Sequence, residues 1–304
     1  MTSDLNFFFE VLFGGLLSGI MYSLVALGFV LIYKASGVFN FAQGSMVLFA
    51  ALTFVGILEM GVPFWPALLL CLLVMMLLAV GIERIVLRPL VNQPPIALFM
   101  ATIGLSYLLE GLGQGIWGTQ VRALDLGIED LPNEMIQEAL GIQVSTFDLF
   151  SAGCAAVLVG GLALFFNKTR VGLALRAVAD DHQAALAVGI PLQHVWAIVW
   201  AAAGLVALVA GLLWGSRLGV QFSLSLVALK ALPVLILGGF TSVAGAIVGG
   251  LIIGASEKLA EVYISTFTGG AVAAIENWFP YMLALLFLLV RPQGLFGEKI
   301  IERV

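Results

Sequence analysis

The chain has 304 residues, of which 62% are hydrophobic and only 10% are charged. A soluble domain carries about 25% charged residues, so this chain has too little polar surface to cover a water-soluble globule. The net charge of −5 says nothing about nucleic acid, because the surplus acid lies in one loop. We expect no nucleic-acid partner.

Long blocks without Asp, Glu, Lys or Arg dominate the sequence, and most reach the ~20 residues that a membrane-spanning helix needs. The blocks are 11–33, 35–58, 60–82, 89–109, 149–167, 183–216, 231–256 and 277–290. Helices satisfy their backbone hydrogen bonds inside lipid, and the blocks lack the alternation of barrel strands. The sequence therefore predicts an all-α polytopic membrane protein, one transmembrane domain over 1–304 with about eight or nine transmembrane segments.

A polar interval at residues 36–45 opens the second block and holds Asn40, Gln43 and Gly44 where a plain span would hold Leu or Val. One interpretation is a discontinuous helix whose broken ends face a solute pathway, as in membrane transporters. The other is a short cytoplasmic turn in which Asn40 caps the next helix. The residues themselves favour neither interpretation.

Lys and Arg in short loops mark the cytoplasmic side of a membrane protein. They follow the first, third and fifth blocks and close the chain, at Lys34, Arg84, Arg88, Lys168, Arg170, Arg176, Arg291, Lys299 and Arg303. The loop 117–147 instead has a single Arg against several acidic residues, so we expect it to lie outside. Glu110, which precedes this loop, and Lys230 are the ionisable residues set deepest among the apolar segments. Both are candidates to line a solute pathway, although helix pairing or snorkelling would also explain them.

The interval 167–191 is long, polar, basic and compatible with helix. Its small residues and its helix-ending Gly189 and Pro191 predict one or two short helices at the cytoplasmic face. A short rigid helix with small residues suits the groove of a soluble partner. The residues assigned to this coupling contact are Arg176, Asp180, Gln183, Ala184, Ala185 and Gly189. The alternative is a helix that lies on the lipid surface.

The charges near the end of the chain require a break in the seventh block. Arg291 can be cytoplasmic only if this block crosses the membrane twice. We therefore predict a break at residues 238–242, between an inward half over 224–238 and an outward half over 243–258. A single kinked helix is the alternative.

Sequence motifs of enzymes are absent. The chain has no G-x-x-x-x-G-K-[ST], H-E-x-x-H or G-x-S-x-G, so neither a Walker ATPase site nor the common hydrolase sites are expected. We expect no catalytic residues and no metal site, and the function class that fits is transport.

Residues 183–189 read Q-A-A-L-A-V-G, which is similar to the E-A-A-x-x-x-G loop of ABC transporter permeases. Gln183 stands in the Glu position, and a clear I-x-L-P does not follow. Further motifs are L-I-Y-K-A-S-G-V-F-N-F-A-Q-G at 31–44, E-R-x-V-L-R-P-L at 83–90, R-A-V-A-D-D at 176–181, L-G-G-F-T-S-V-A-G-A-I-V-G-G at 237–250 and R-P-Q-G-L-F-G at 291–297. Together they resemble the LivH-type permease of branched-chain amino acid ABC importers over almost the whole chain.

The resemblance implies a permease subunit in the lipid of the bacterial inner membrane. Its implied partners are a second, LivM-like permease chain, two cytoplasmic ATPase subunits and a periplasmic substrate-binding protein. The ATPases would bind ATP and Mg, and this chain would hold no cofactor. Closure of the ATPase dimer would act through residues 176–189. The implied solutes are branched-chain or other small amino acids.

Two alternatives remain open from the sequence. The same family includes permeases for urea and short amides, so the solute class depends on the resemblance alone. A self-sufficient secondary carrier or channel is the competing functional class. Retention of ATPase subunits in detergent would separate it from an ABC importer.

Overall fold

The computed structural model describes residues 2–90, 93–270, 272 and 274–297. Over these ranges the chain is helical, and its only β-type pairings are two isolated bridges. This confirms the all-α prediction. Lys299 and Arg303 of the expected basic C-terminus lie outside the described residues.

The helices α1 to α13 follow one another through the chain. They are Thr2–Ser36, Gln43–Glu59, Phe64–Gly81, Pro95–Trp117, Glu134–Leu140, Thr146–Lys168, Arg170–Asp180, His182–Ala187, Leu192–Leu218, Val227–Lys230, Leu232–Gly238, Val243–Phe267 and Ile275–Val290. After α3 the chain continues as a π-helical turn, Ile82–Leu87, and a 3-10 turn, Arg88–Leu90. Another 3-10 turn, Phe222–Leu226, precedes α10.

Within the described residues, six helical segments are long and apolar enough to cross a membrane, which confirms a polytopic membrane protein. They are Leu5–Ser36, Phe64–Leu90, Pro95–Trp117, Thr146–Lys168, Leu192–Leu218 and Val243–Phe267. Three shorter apolar segments are Gln43–Glu59, Phe222–Gly238 and Ile275–Val290. The first helix begins well before the predicted start at residue 11, because the polar residues of its first turns do not interrupt helical geometry.

The contacts divide the chain into two compact units. Unit 1 comprises Met1–Ala26, Gly127–Leu158 and Leu229–Val304, and unit 2 comprises Leu27–Leu126 and Val159–Ala228. In unit 2, α2 is buried along almost its whole length and packs against α3, α4 and α9. In unit 1, α12 packs against α11 and α13.

The predicted break at 36–45 is present, since α1 ends at Ser36 and α2 begins at Gln43. Gly37 takes the left-handed conformation, with φ of 71°, and its N–H bonds the carbonyl of Tyr33 at 2.7 Å. Only glycine adopts such a φ without strain, so it ends the helix cleanly. The expectation that Asn40 caps the next helix is wrong, because the capping position is Ala42.

The second predicted break is also present, between Gly238 and Val243. The backbone of Gly238 lies against that of Gly245. Four residues later on α12, Gly249 lies against Val234, which is four residues before Gly238 on α11. Sequence numbers rise along one helix as they fall along the other, so α11 and α12 form a tight antiparallel hairpin. The single kinked helix is therefore wrong. The outward half is longer than 243–258, because α12 continues to Phe267.

Candidate solute pathway and coupling segment

The predicted interval 167–191 folds as two short helices, α7 and α8. The Thr169 side chain accepts a hydrogen bond from the Gly172 N–H at 3.3 Å and caps α7. Asp181 Oδ1 accepts from the N–H groups of Gln183 and Ala184, at 2.8 and 3.0 Å, and caps α8. Side-chain caps of this kind fix the first turn of a helix. Both short helices therefore begin with a capped first turn.

The six residues assigned to coupling do not share one environment. Gln183, Ala184, Gly189 and Asp180 are exposed, whereas Ala185 is only 2% exposed and packs inward. Arg176 is half-buried and its Nη1 donates to the carbonyl of Phe166 at 3.1 Å, which ties α7 to the end of α6. Arg176 and Ala185 thus hold the segment in place, and the other residues are available for contact.

Exposed apolar side chains accompany the exposed small residues of this segment. Leu186 and Val188 are exposed, and Val188 keeps 77% of its surface accessible. Together with Ala184 and Ala187 they form what we call the coupling face. Gly189 follows it in the left-handed conformation, with φ of 85°, and ends the helix. The coupling face is small, apolar and held by a capped helix, as a docking element requires.

Asn40 and Gln43, at the first break, are both fully buried. Asn40 Oδ1 accepts from the Ala42 N–H at 3.1 Å, and Gln43 Nε2 donates to the Ala203 carbonyl at 3.5 Å. The remaining amide atoms, Asn40 Nδ2 and Gln43 Oε1, are buried without a hydrogen-bond partner among the described residues. Buried polar groups are nearly always paired. The first break therefore keeps two unused hydrogen-bonding atoms, the donor Asn40 Nδ2 and the acceptor Gln43 Oε1.

Gly44 has a different local role. Its α-carbon lies so close to the Ser225 carbonyl that any side chain would collide with it. Gly44 thus lets the 3-10 turn Phe222–Leu226 pack directly on the start of α2. This is a packing contact in the present conformation.

Aromatic rings surround the first break. Phe29 stacks on Phe39 with ring centroids 4.6 Å apart. Phe41 meets Phe39 and Phe99 edge to face, at 4.7 and 5.0 Å. An open apolar cavity of about 300 Å³ lies beside the rings and is lined by Gly37, Val38, Phe39, Pro95, Ile96 and Phe99. We call Phe29, Phe39, Phe41 and Phe99 the aromatic cluster.

Glu110 lies on α4 and bonds a serine of α2. Ser45 Oγ donates to Glu110 Oε1 at 2.9 Å and lies 2.7 Å from Ser106 Oγ. The sequence reasoning missed both serines. The spacing of four between Ser106 and Glu110 places them on one face of a helix, and this signal could have revealed the pair. The three side chains bring together a carboxyl group and two hydroxyl groups between α4, which is long enough to span a membrane, and the shorter apolar helix α2.

Lys230 belongs to unit 1, where its Nζ lies 3.7 Å from Glu276 Oε2. Unit 1 also contains a buried carboxyl group, that of Glu257, directly after the apolar block 231–256. Glu257 is 3% exposed and accepts a hydrogen bond from Tyr22 at 3.0 Å. The two residues are 235 positions apart in the sequence, so no local pattern could have paired them. Across the residues that the structure describes, His, Cys, Asp and Glu form no cluster suited to a metal ion.

Comparisons with known proteins agree with this architecture. Residues 11–291 match the family described as branched-chain amino acid transport system / permease component. The permease protein LivH of Salmonella typhimurium is 28% identical over 100% of both chains. BraD of Pseudomonas aeruginosa is 27% identical over 99% of both chains. The probable LivH of Methanocaldococcus jannaschii is 29% identical over 94% of this chain and 92% of its own. All three carry names of branched-chain amino acid transport permeases.

Solved structures include one that is similar in fold. PsaBC from Streptococcus pneumoniae in complex with Fab superimposes with a TM-score of 0.50, at 14% identity and with 94% of each chain covered. A likeness at this identity concerns the fold alone. With the match over residues 11–291 and relatives similar end to end, the chain belongs to the branched-chain amino acid transport system permease family, as a multi-pass inner-membrane permease subunit of an ABC importer rather than an enzyme.

Proposed function

We propose that this subunit moves branched-chain or other small amino acids across the inner membrane, driven by ATP hydrolysis in partner subunits. The observation that carries the proposal is the end-to-end similarity to relatives named for branched-chain amino acid transport. The unpaired amide atoms Asn40 Nδ2 and Gln43 Oε1 and the carboxyl group of Glu110 support a polar pathway in unit 2. Gly44 belongs to the same proposed pathway, and Lys230, in unit 1, is a separate pathway candidate.

The proposed assembly contains a second, LivM-like permease chain, two cytoplasmic ATPase subunits and a periplasmic binding protein. ATP and Mg belong to the ATPases, and this chain acts without a cofactor as a single transmembrane permease domain over residues 1–304. The chain crosses the membrane about eight or nine times if two or all three of the shorter apolar segments cross it in addition to the six long ones.

Energy coupling acts through α7 and α8 in this proposal. The coupling face seats in a groove of an ATPase subunit, and movement of that subunit rotates the capped helices as one body. Arg176 transmits the movement to α6 through its bond to Phe166. The small exposed residue Ala184 allows close approach, and the exposed polar residues Gln183 and Asp180 lie beside it.

Uptake by the reconstituted complex tests the solute class. The chain is purified with the products of its neighbouring genes and placed in vesicles, with the binding protein outside and ATP inside. We expect ATP-dependent accumulation of leucine, isoleucine or valine. Accumulation of urea or acetamide with none of these amino acids would overturn the proposed solute. Uptake without ATPase subunits would overturn the proposed assembly.

Ala184→Trp tests the coupling face. Ala184 is exposed, so the indole ring does not disturb the packing of unit 2. We expect uptake to fall by about tenfold or more, because bulk in a packed interface costs about 1–3 kcal/mol. Ala184→Ser, which keeps the residue small, is the matched control and should transport normally. If α8 instead lies on lipid, Ala184→Trp is tolerated and uptake persists.

Thiol labelling tests the proposed orientation. Ala179 on α7 and Glu138 on α5 are both exposed. In intact cells an impermeant thiol reagent should label the Glu138→Cys variant and spare the Ala179→Cys variant, because Lys and Arg mark the second region as cytoplasmic. Labelling of Ala179→Cys from outside would reverse the orientation and remove the coupling role.

A further inference from the structure

Polar side chains recur every four residues along α4. They are Thr102, Ser106, Glu110 and Gln114. A step of four residues turns a helix by about 400°, so the stripe drifts through about 120° over a length of about 18 Å. We call these four residues the polar stripe. It covers one third of the helix circumference and about half of the length of α4, which has 23 residues.

The rest of α4 is mostly apolar, and its large exposed side chains lie away from the buried residues Leu98, Leu105 and Leu109. Tyr107 is 72% exposed, and the other large exposed side chains are Ile96, Met100, Leu108, Leu112 and Ile116. This surface suits lipid or another apolar chain. The polar stripe is less accessible, with Thr102 buried and the other three half-buried. Its partner is α2, which packs on α4 and contributes Ser45.

The ends of the polar stripe open onto two features of unit 2. Gln114 lines a cavity of about 60 Å³ together with Thr119, Gln120 and Gln221. Thr102 bonds the first helix break, accepting from the Phe41 N–H at 3.3 Å and donating to the Phe99 carbonyl at 2.9 Å. The stripe therefore connects an amide-lined cavity at one end of α4 with the aromatic cluster at the other.

Glu110 lacks the partner that an intramembrane carboxyl group usually has. Its hydrogen bond comes from Ser45, and among the described residues no Lys, Arg or His nitrogen lies within 4.0 Å of it. Ionisable groups inside a membrane are expensive and mark substrate or ion sites. The environment supplies acceptors, namely the carboxyl group and the oxygens of Ser45 and Ser106. An ammonium group has three donors and no acceptor, which matches this set.

We propose that Glu110, Ser45 and Ser106 form a binding subsite for the ammonium group of the transported amino acid, on a pathway along the polar stripe. The inference rests on the proposed function and deepens it. The carboxyl group offsets the positive charge of the solute while it passes the apolar interior, and the two hydroxyl groups orient it. The solute enters from the cavity at Gln114 and leaves past the aromatic cluster, where the rings contact the apolar side chain of the solute.

Thiol reactivity tests the pathway directly on this chain within the whole complex. Cys71 and Cys154 are first replaced by Ala, and single cysteines are then placed at 106, 108, 112 and 114. In permeabilised membranes, water-soluble methanethiosulfonates should modify Ser106→Cys and Gln114→Cys and leave Leu108→Cys and Leu112→Cys unmodified. A cationic reagent should react with Ser106→Cys about tenfold faster than an anionic one, because a nearby carboxylate attracts the cation. Adding Glu110→Gln should abolish that preference.

Uptake supplies the second readout. Glu110→Gln keeps the size and the hydrogen-bond acceptor but removes the charge, so leucine uptake should fall by about tenfold or more. Glu110→Asp keeps the charge and should retain more uptake than Glu110→Gln. Leu108→Ala, on the exposed side of α4, is the matched control and should transport normally. If Glu110→Gln does not assemble, the subsite is tested by Ser106→Cys with Glu110 intact, from the ratio of its reaction rates with the cationic and the anionic reagent.

The outcomes separate the subsite from the function on which it rests. If the wild-type complex accumulates leucine and Glu110→Gln does so equally well, the subsite is wrong and the proposed function stands. Equal reaction of cationic and anionic reagents with Ser106→Cys, or modification of Leu108→Cys as fast as Ser106→Cys, would likewise overturn it. If the wild-type complex accumulates no amino acid, the proposed function is wrong. The ammonium subsite, which rests on that function, is then wrong as well.

Discussion

The two helix breaks, at residues 37–42 and 239–242, differ in what fills them. The first holds buried amides with unpaired atoms, Asn40 Nδ2 and Gln43 Oε1, beside a cluster of aromatic rings. The second is closed by backbone contacts. Gly238 packs on Gly245, and the Leu295 and Phe296 N–H groups bond the carbonyls of Leu237 and Gly238 at 2.8 and 3.1 Å.

This difference shows that a polar, glycine-containing interruption of an apolar block can serve two purposes. In the second break every feature supports close packing, and Ser242 caps the following helix through its bond to the Gly245 N–H at 3.0 Å. In the first break, hydrogen-bonding capacity of fully buried side chains remains unused. We therefore expect added volume at the second break to lower stability, and loss of polar groups at the first break to lower transport.

The largest effect is expected from added volume at the second break. In Gly245→Ala the new methyl group collides with the Gly238 carbonyl oxygen, which is rigid backbone. Overpacking of this kind costs about 1–3 kcal/mol. We expect a lower apparent unfolding temperature in detergent and a smaller yield of assembled complex. Gly153→Ala, where no atom lies within 4 Å of the new methyl group, is the control in the same unit. Equal stability of the two variants would contradict the hairpin.

Loss of polarity at the first break should affect transport instead of stability. Gln43→Leu removes an amide whose oxygen is unpaired and whose nitrogen makes one long bond. The free energy of unfolding should change by less than about 1 kcal/mol, because the lost bond is weak. Uptake should fall by about tenfold if the amide contacts the solute.

A control for this variant lies on the same helix. Thr53 is buried on α2 and its Oγ1 also lacks a partner within the described residues. Thr53→Val removes that hydroxyl group at nearly constant volume and ten residues away from the break. It should transport normally. If Thr53→Val and Gln43→Leu impair uptake equally, unpaired groups on α2 have a general role and the first break is not special.

The existence of both breaks could be predicted from the sequence, because Gly and polar residues interrupt an apolar block at each of them and charge counting requires a turn at the second. What fills each break could not be predicted. The unpaired state of Asn40 and Gln43 depends on their burial by other helices, and the contact of Gly238 with Gly245 depends on how two helices approach. Similarly, the bond between Tyr22 and Glu257 joins distant parts of the chain.

The candidate site was only half visible in the sequence for the same reason. Glu110 is conspicuous as an acid near an apolar block, but Ser45 and Ser106 are ordinary residues of membrane helices until α2 and α4 are packed together. The coupling segment shows the reverse case. Its two short helices follow from local signals, namely the caps Thr169 and Asp181 and the terminating Gly189. The burial of Ala185 is a tertiary property and was missed.

The smallest effect is expected from the cap of the second break. Ser242→Ala removes the side-chain oxygen that accepts from the Gly245 N–H, and loss of such a cap costs typically about 1 kcal/mol. We expect a small decrease in the unfolding temperature that Ser242→Asp, which restores an acceptor, largely reverses. Uptake per folded complex should be unchanged, because the second break has a packing role. The unfolding temperature and the uptake per folded complex together decide whether packing is the only role of the second break. A decrease in uptake per folded complex in Ser242→Ala, with little change in stability, would show that the second break also handles solute and that the contrast between the two breaks is wrong.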